Sequence, residues 1–196
     1  TINNQAKGII QVKISCLGKA THGSRPWRGK NAINIVATNL ANFLKTEPTP
    51  SKETFATTFN FSLIKGGLAI NQVPDACELL VDIRFNPKDN PLQVVKKLKT
   101  SFKLCKVEVL KLESPIFTSH SSPYIQILAN SLKSNLINPR FTFEHGSSDA
   151  RHCTAIKIPA VVFGPKGANF HQNDEWVDIP SLQTAKNTLV TFINNC

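Results

Sequence analysis

The order in which the hydrophobic period changes along the first 112 residues restricts the fold more than any other feature of this chain. Residues 9–17 (IIQVKISCL) partly alternate apolar and polar side chains, the mark of a half-buried strand, and Gly18 ends the run. After Asn31, a residue type that caps helices, Ile35, Val36, Leu40, Phe43 and Leu44 recur at helical spacing until Pro48 and Pro50 stop them. Phe55, Thr57, Phe59, Phe61 and Leu63 alternate again and Gly66-Gly67 breaks the run. Residues 77–85 (CELLVDIRF) supply the partner strand, ended by Asn86-Pro87. Pro91 opens a helix through Leu92, Val95, Leu98 and Phe102, and residues 106–112 (KVEVLKL) return to alternation. Strand, helix, strand, strand, helix, strand is the ferredoxin-like split βαβ order, so residues 1–112 are expected to form one βαββαβ domain of α+β class.

Residues 113–196 read differently. The pattern predicts a helix around 122–135, a short strand at 140–144 and a loop-to-helix turn at 145–155. A buried-type strand, IPAVVFG at 158–164, follows, and a last helix over 180–194 starts at Pro180 and carries Leu182, Leu189, Phe192 and Ile193. Two short strands make a poor core, and a strand apolar on both faces needs neighbours on both sides. This piece is therefore expected to complete an α/β sheet whose other strands lie outside the chain.

Composition excludes several classes. No apolar run approaches the roughly 18–20 residues that span a bilayer, so no membrane partner is expected. The N-terminus lacks a basic and then apolar leader and the chain has no Met, so a processed or excised product is expected. Five cysteines without C-x-x-C spacing (Cys16, Cys77, Cys105, Cys153, Cys196) point to reduced thiols and a cytoplasmic setting rather than a disulfide framework. The net charge of +10 comes from dispersed lysines such as Lys96, Lys97, Lys99, Lys103, Lys106 and Lys111. Most of these fall opposite the apolar positions of a helix, as on a solvated face, so nucleic acid is not the expected partner.

Three stretches carry polar groups that a simple fold does not need. The first runs from Gly18-Lys19-Ala20-Thr21-His22-Gly23-Ser24-Arg25-Pro26 to Gly29-Lys30-Asn31. The second runs from Gly66-Gly67-Leu68-Ala69-Ile70-Asn71-Gln72-Val73-Pro74-Asp75 into Asp82-Ile83-Arg84-Phe85. The third is Gly146-Ser147-Ser148-Asp149-Ala150-Arg151, followed at 163–175 by FGPKGANFHQNDE. In this order and spacing, over nearly the whole chain, they resemble the M20 metallohydrolases: succinyl-diaminopimelate desuccinylases, acetylornithine deacetylases, aminoacylases and related peptidases.

The resemblance implies a zinc-dependent hydrolase of an amide bond in an N-acyl amino acid or small peptide, working as a homodimer through a lid domain at 1–112. The segment 113–196 would be the C-terminal part of the catalytic domain. The family holds two zinc ions, or cobalt or manganese. His171 matches its last metal ligand, a neutral imidazole of the kind that suits Zn²⁺, with Asp174 or Glu175 as the acceptor expected behind the ring. His22 matches the lid histidine that crosses to the partner's site and donates to the oxyanion of the tetrahedral intermediate. Asn71 and Arg84 match lid residues at the substrate carboxylate, and Gly146, Ser147 and Arg151 the catalytic-domain side of that pocket, where a guanidinium pairs with a carboxylate through two hydrogen bonds.

Two positions depart from the desuccinylase pattern: Arg25 stands where those enzymes carry an aromatic residue, and Gly167 where they carry Asn. An arginine there would suit an acidic or peptide-like substrate. The H-x-D and Glu-Glu motifs that give the family its other ligands and its base do not occur in this chain. With one ligand, the chain alone is expected to be inert. Three rival readings compete. His145, Asp149 and His152 have i, i+4, i+7 spacing and could form a small zinc site on one helix face. Phe59 and Phe61 could stack bases in an RNA-recognition module. The chain could also be a dimerisation module without catalysis.

Overall fold

The computed structural model describes residues 1–196. In chain order the elements are β1 (Ile2–Ala6), β2 (Gly8–Leu17), α1 (Ala32–Thr46), β3 (Thr58–Gly66), β4 (Ala76–Phe85), α2 (Pro91–Ser101) and β5 (Cys105–Glu113). They continue with β6 (Ile116–Phe117), α3 (Pro123–Ser134), β7 (Phe141–Glu144), α4 (Ala150–Ala155), β8 (Gly167–Ala168), β9 (Trp176–Val177) and α5 (Ile179–Ile193). Two compact units result: Lys7–Glu113, and Thr1–Ala6 together with Ser114–Cys196. No helix is long and apolar enough to cross a membrane.

In the unit Lys7–Glu113 a four-stranded sheet has the order β3-β4-β2-β5 with every pairing antiparallel. Alternation decides which way each strand faces. Ile10, Val12, Ile14 and Cys16 of β2 join Cys77, Leu79, Val81, Ile83 and Phe85 of β4 beneath Val36 and Phe43 of α1 and Val94, Val95 and Leu98 of α2. Phe43 is the hub, with ring centroids 5.0 Å from Phe59, 5.6 Å from Phe61 and 6.0 Å from Phe102. Asn31 caps α1 by accepting from the Asn34 N–H at 3.1 Å, and Asn90 caps α2 by accepting from Leu92 at 2.9 Å.

Strand β3 begins at Thr58, three residues later than the alternation from Phe55 predicts. The preceding residues spend their polar groups elsewhere. The buried Lys7 Nζ donates to the Thr54 carbonyl at 2.9 Å, and Asn86 Nδ2 donates to that of Phe55 at 2.8 Å. Phe59 and Phe61 lie edge-on against buried Phe43, so their faces are not a platform for bases, and the RNA-recognition alternative loses its one aromatic argument.

The second unit is built on β1, flanked by β6 (antiparallel) and β7 (parallel). The first six residues therefore lie outside the domain expected at 1–112. Ile2, with Leu128, Ala129 and Leu132 of α3, makes the buried core, and Phe141, Val161 and Phe163 pack on it. The strand expected at 158–164 is corrected. That segment meets the sheet at one antiparallel rung, Val162 with Asn3, with both N–H to carbonyl distances 2.9 Å. Pro159 has no N–H for a ladder. At Ala160 the Thr118 hydroxyl takes the strand's place, donating to the carbonyl at 2.7 Å and accepting from the amide at 3.0 Å. Helix α5 starts at Ile179 because Asp178 caps it through Ser181 at 3.1 Å.

Three thiols meet across the first unit's sheet, Cys16 standing opposite Cys77 on one side and Cys105 on the other. Burial, then the neighbouring Cys16, pushes the Cys105 thiol from 9.0 up to about 12. The neutral thiol is thus the form the fold prefers. Its stabilising effect is whole below pH 9 and is lost as the pH climbs toward about 12. Iodoacetamide at neutral pH should label exposed Cys196 first and Cys16, Cys77 and Cys105 only on unfolding. Mass spectrometry showing Cys105 among the fast sites would contradict this arrangement. Phe43→Ala should cost about 3–5 kcal/mol in urea unfolding; a loss below about 1 kcal/mol would mean that Phe43 is not the hub.

Candidate active site

Two loops of the Lys7–Glu113 unit are fastened to each other along their backbones. One follows β2 and the other joins β3 to β4. Val73 N–H donates to Thr21 O at 2.9 Å, Gly23 N–H donates to Asn71 O at 2.7 Å, and His22 and Gln72 form a bridge between them. A β-carbon at Gly23 would lie 3.0 Å from the Asn71 carbonyl oxygen, and one at Gly18 only 2.0 Å from that of Lys30, so both glycines are needed for close approach. His22 and Asn71 consequently sit side by side, both exposed, at one end of the sheet.

The His22 ring is held in one tautomer. The backbone N–H of Ser24 donates to His22 Nδ1 at 3.2 Å, and Ser24 Oγ lies 2.8 Å from the same nitrogen. A backbone amide can only donate, so Nδ1 keeps its lone pair and the neutral ring carries its proton on Nε2. The ring therefore presents an N–H donor to whatever approaches it. The motifs give Ser24 no role of its own; a hydroxyl residue two positions after a histidine in a turn is the signal that marks it.

Arg84 stands elsewhere. It lies near the other end of β4, opposite Ile9 and Thr58, while Ala76 at the start of β4 pairs with Leu17 just before the His22 loop. Eight residues of extended strand separate the two ends by about 26 Å. Arg84 Nε pairs with Asp82 Oδ2 at 2.8 Å, the strand-end ion pair that a purely structural role needs, and no hydrogen bond engages its terminal amino groups. One protomer thus brings His22 and Asn71 together but does not bring Arg84 to them.

In the second unit, β7 runs into Gly146, Ser147 and Ser148 and then α4. Neither serine side chain caps that helix. Instead Arg151 folds back, its Nη1 3.4 Å from Ser147 Oγ, 3.1 Å from Ser148 O and 3.5 Å from Asp149 Oδ1. The Arg151 side chain is 18% exposed. Nothing crowds Gly146, so its backbone is open.

His171 lies on the loop between β8 and β9. Its backbone is left-handed, φ 65°, as is that of Asn169 at 61°. Such conformations cost non-glycine residues about 1–3 kcal/mol and persist where surroundings enforce them. Here Glu175 accepts the His171 backbone N–H at 3.3 Å, and Asp174 accepts from Asn169 Nδ2 at 2.7 Å. Neither carboxylate bonds the His171 ring, so the acceptor expected behind it is not in place. Glu144, two residues before Gly146, and Phe170 and Glu175, around His171, line one cleft of about 940 Å³. Arg151 and His171 themselves are not among the residues that line it.

No three His, Cys, Asp or Glu side chains are placed to share a metal ion. His145 and Asp149 precede α4, so the helical spacing that would have joined them to His152 does not exist, and the His145 ring packs edge-on against Phe143. The residues of this chain do not by themselves fit a dinuclear centre. His171 is one exposed imidazole that belongs to no group of three such side chains.

The model of the peptidase dimerisation domain of the M20 type matches residues 4–104, just over half the chain. The chain belongs to the M20 peptidase family. M20 relatives include the succinyl-diaminopimelate desuccinylase of Nitrosomonas eutropha, 28% identical over 93% of this chain and 50% of its own length. A [LysW]-lysine/[LysW]-ornithine hydrolase of Sulfurisphaera tokodaii is 24% identical over 96% of this chain and 52% of its own. Among solved structures, aminopeptidase PepT of Bacillus cereus superposes with a TM-score of 0.85 at 21% identity, over 98% of this chain and 52% of that one. An M20 metallo-carboxypeptidase of Sulfolobus solfataricus gives 0.71 at 15%. The chain spans about half the length of the curated M20 relatives it matches.

The Nδ1 acceptor state can be read directly. Long-range ¹H–¹⁵N correlation at neutral pH should show unprotonated Nδ1 and protonated Nε2 for His22, with the preference relaxed in Ser24→Pro, which has no backbone N–H. A protonated Nδ1 in the unsubstituted protein would remove the donor from the outward position.

Proposed function

We propose that this chain is the dimerisation domain and the C-terminal part of the catalytic domain of an M20 hydrolase that cleaves an amide bond in an N-acyl amino acid or small peptide. The order β3-β4-β2-β5 is what a ferredoxin-like lid requires, and it supports that reading of the first unit. The observation that carries the functional reading is the exposed His22 ring, its Nδ1 accepting from Ser24 so that Nε2 carries the proton, on the loop bonded to that of Asn71. A donor preorganised in this way is suited to an oxyanion forming at a scissile carbonyl, a role worth about 3–4 kcal/mol in related chemistry.

The separation of about 26 Å along β4 bears on how the sites are shared. A small substrate cannot touch His22 and Arg84 of one protomer. A homodimer resolves this if His22 and Asn71 serve the partner's site while Arg84 serves another. Arg151 then meets the substrate carboxylate, with Gly146 and Ser147 offering backbone and hydroxyl groups beside it. His171 would be one ligand of a two-zinc centre, or one of cobalt or manganese, whose remaining ligands lie outside this chain. Exposed Ile156, Ile158, Ile179 and Ile193 support a catalytic unit completed by further polypeptide. Five unpaired thiols support a reducing, cytoplasmic setting.

Hydrolysis of N-succinyl and N-acetyl amino acids is the test. The 196-residue chain with added zinc should turn over neither. The complete polypeptide, carried upstream to the relatives' length, should do so, and His22→Ala in it should lower kcat about 100-fold or more with a modest change in KM. Unchanged turnover in that variant would remove His22 from the reaction.

A further inference from the structure

Charge is divided unevenly between the two units. Lys7–Glu113 holds seventeen Lys and Arg against eight Asp and Glu, whereas the remaining residues hold six against five. Within the first unit the imbalance is sharpest at the start, because the first acidic residue of the chain is Glu47. Elsewhere in this unit four cations pair with carboxylates: Lys97 with Glu47, Lys106 with Glu108, Lys111 with Glu113 and Arg84 with Asp82. Lys19, Arg25, Arg28 and Lys30, all exposed on the His22 loop, form no ion pair, although Asp75 is near enough to accept the Gly18 N–H through its carbonyl.

The loop is also built to hold these charges close. Lys19 and Lys30 bond to each other's backbones at 2.8 and 2.9 Å as a cross-strand pair, an arrangement in which like charges repel. Arg25 precedes and Arg28 ends a single 3-10 turn, Pro26–Arg28, with Arg28 N–H donating to Arg25 O at 3.0 Å. Between them Trp27 is 77% exposed and stacks on nothing. Leu68 and Ile70 are likewise exposed on the loop fastened to this one. Two arginines beside an exposed indole, with two lysines on the same loop, are groups that an anionic ligand with some apolar surface would satisfy.

The geometry points to the 19–30 loop as a docking surface for an acidic peptide segment, which would make acidic residues flanking the scissile amide part of what this site selects. The inference deepens the reading of His22 as facing an amide substrate, and short spacing favours a peptide: the four cations lie within twelve residues of the His22 ring's own loop. A carboxylate-rich chain lying along Arg25 and Arg28 would reach His22 without leaving the loop.

Binding tests it without turnover. In the Trp176→Phe protein, where Trp27 is the sole indole, octaglutamate should change the fluorescence saturably, with affinity falling as salt rises. Octaglutamine should not. Arg25→Ser/Arg28→Ser should weaken octaglutamate binding on the order of fivefold to tenfold, and Lys96→Ser/Lys99→Ser, which removes equal charge from α2, should leave it unchanged. Equal loss in both variants would reduce the effect to net charge and overturn the proposal. So would oligoadenylate bound as tightly through Arg25 and Arg28, or Trp27 shielded on concentrating the protein with no response to octaglutamate, which assigns the surface to a second copy. A failed hydrolysis assay leaves this result standing, and failed binding leaves the hydrolase reading standing.

Discussion

Strand β2 is the member on which the first unit depends. Each of its ten residues has a partner on β4, and from Ile9 to Cys16 every residue also has one on β5. Its inward side chains, Ile10, Val12, Ile14 and Cys16, form the floor on which both helices rest. Because β2 is paired on both sides, it cannot slip by one residue without turning that floor to solvent. The loop that leaves it at Gly18 therefore departs from a fixed point. That fixity passes into the site through two glycines and a set of backbone bonds, and it is what lets a single amide, that of Ser24, decide the state of the His22 ring.

Much of this was legible in the chain. The alternation of β2, β4 and β5 and the helical spacing of α1 and α2 gave their order and nearly their ends, because these elements bury one face and expose the other. Asn31 and Asn90 act as caps, the first as its position suggested. The legibility failed where the pattern is two-sided or the tie is made by a side chain. IPAVVFG reads as a strand from its composition, yet Pro159 and the Thr118 hydroxyl leave it one rung. Phe55 alternates with Phe59, yet Lys7 and Asn86 claim the backbone before Thr58. No periodicity could assign Ile2–Ala6 to the second unit, since a strand of five residues says nothing of which partner lies far along the chain.

The candidate residues could be named from the chain, but their arrangement could not. The motifs named His22, Asn71, Arg84, Gly146, Ser147, Arg151 and His171, and spacing alone could not reveal that Arg84 stands at the far end of β4 from His22. Nor could it reveal that Asp174 and Glu175 turn to Asn169 and to the His171 backbone instead of to the imidazole. Loop residues take their contacts from chain paths that no local pattern encodes, which is why Ser24 went unmarked beside the histidine it controls.

The left-handed backbone at Asn169 and His171 narrows what natural drift can do to the β8–β9 loop. Branched side chains are shut out of both positions, while glycine would enter either with relief. Position 171 thus carries an imidazole on backbone that glycine would occupy with less strain.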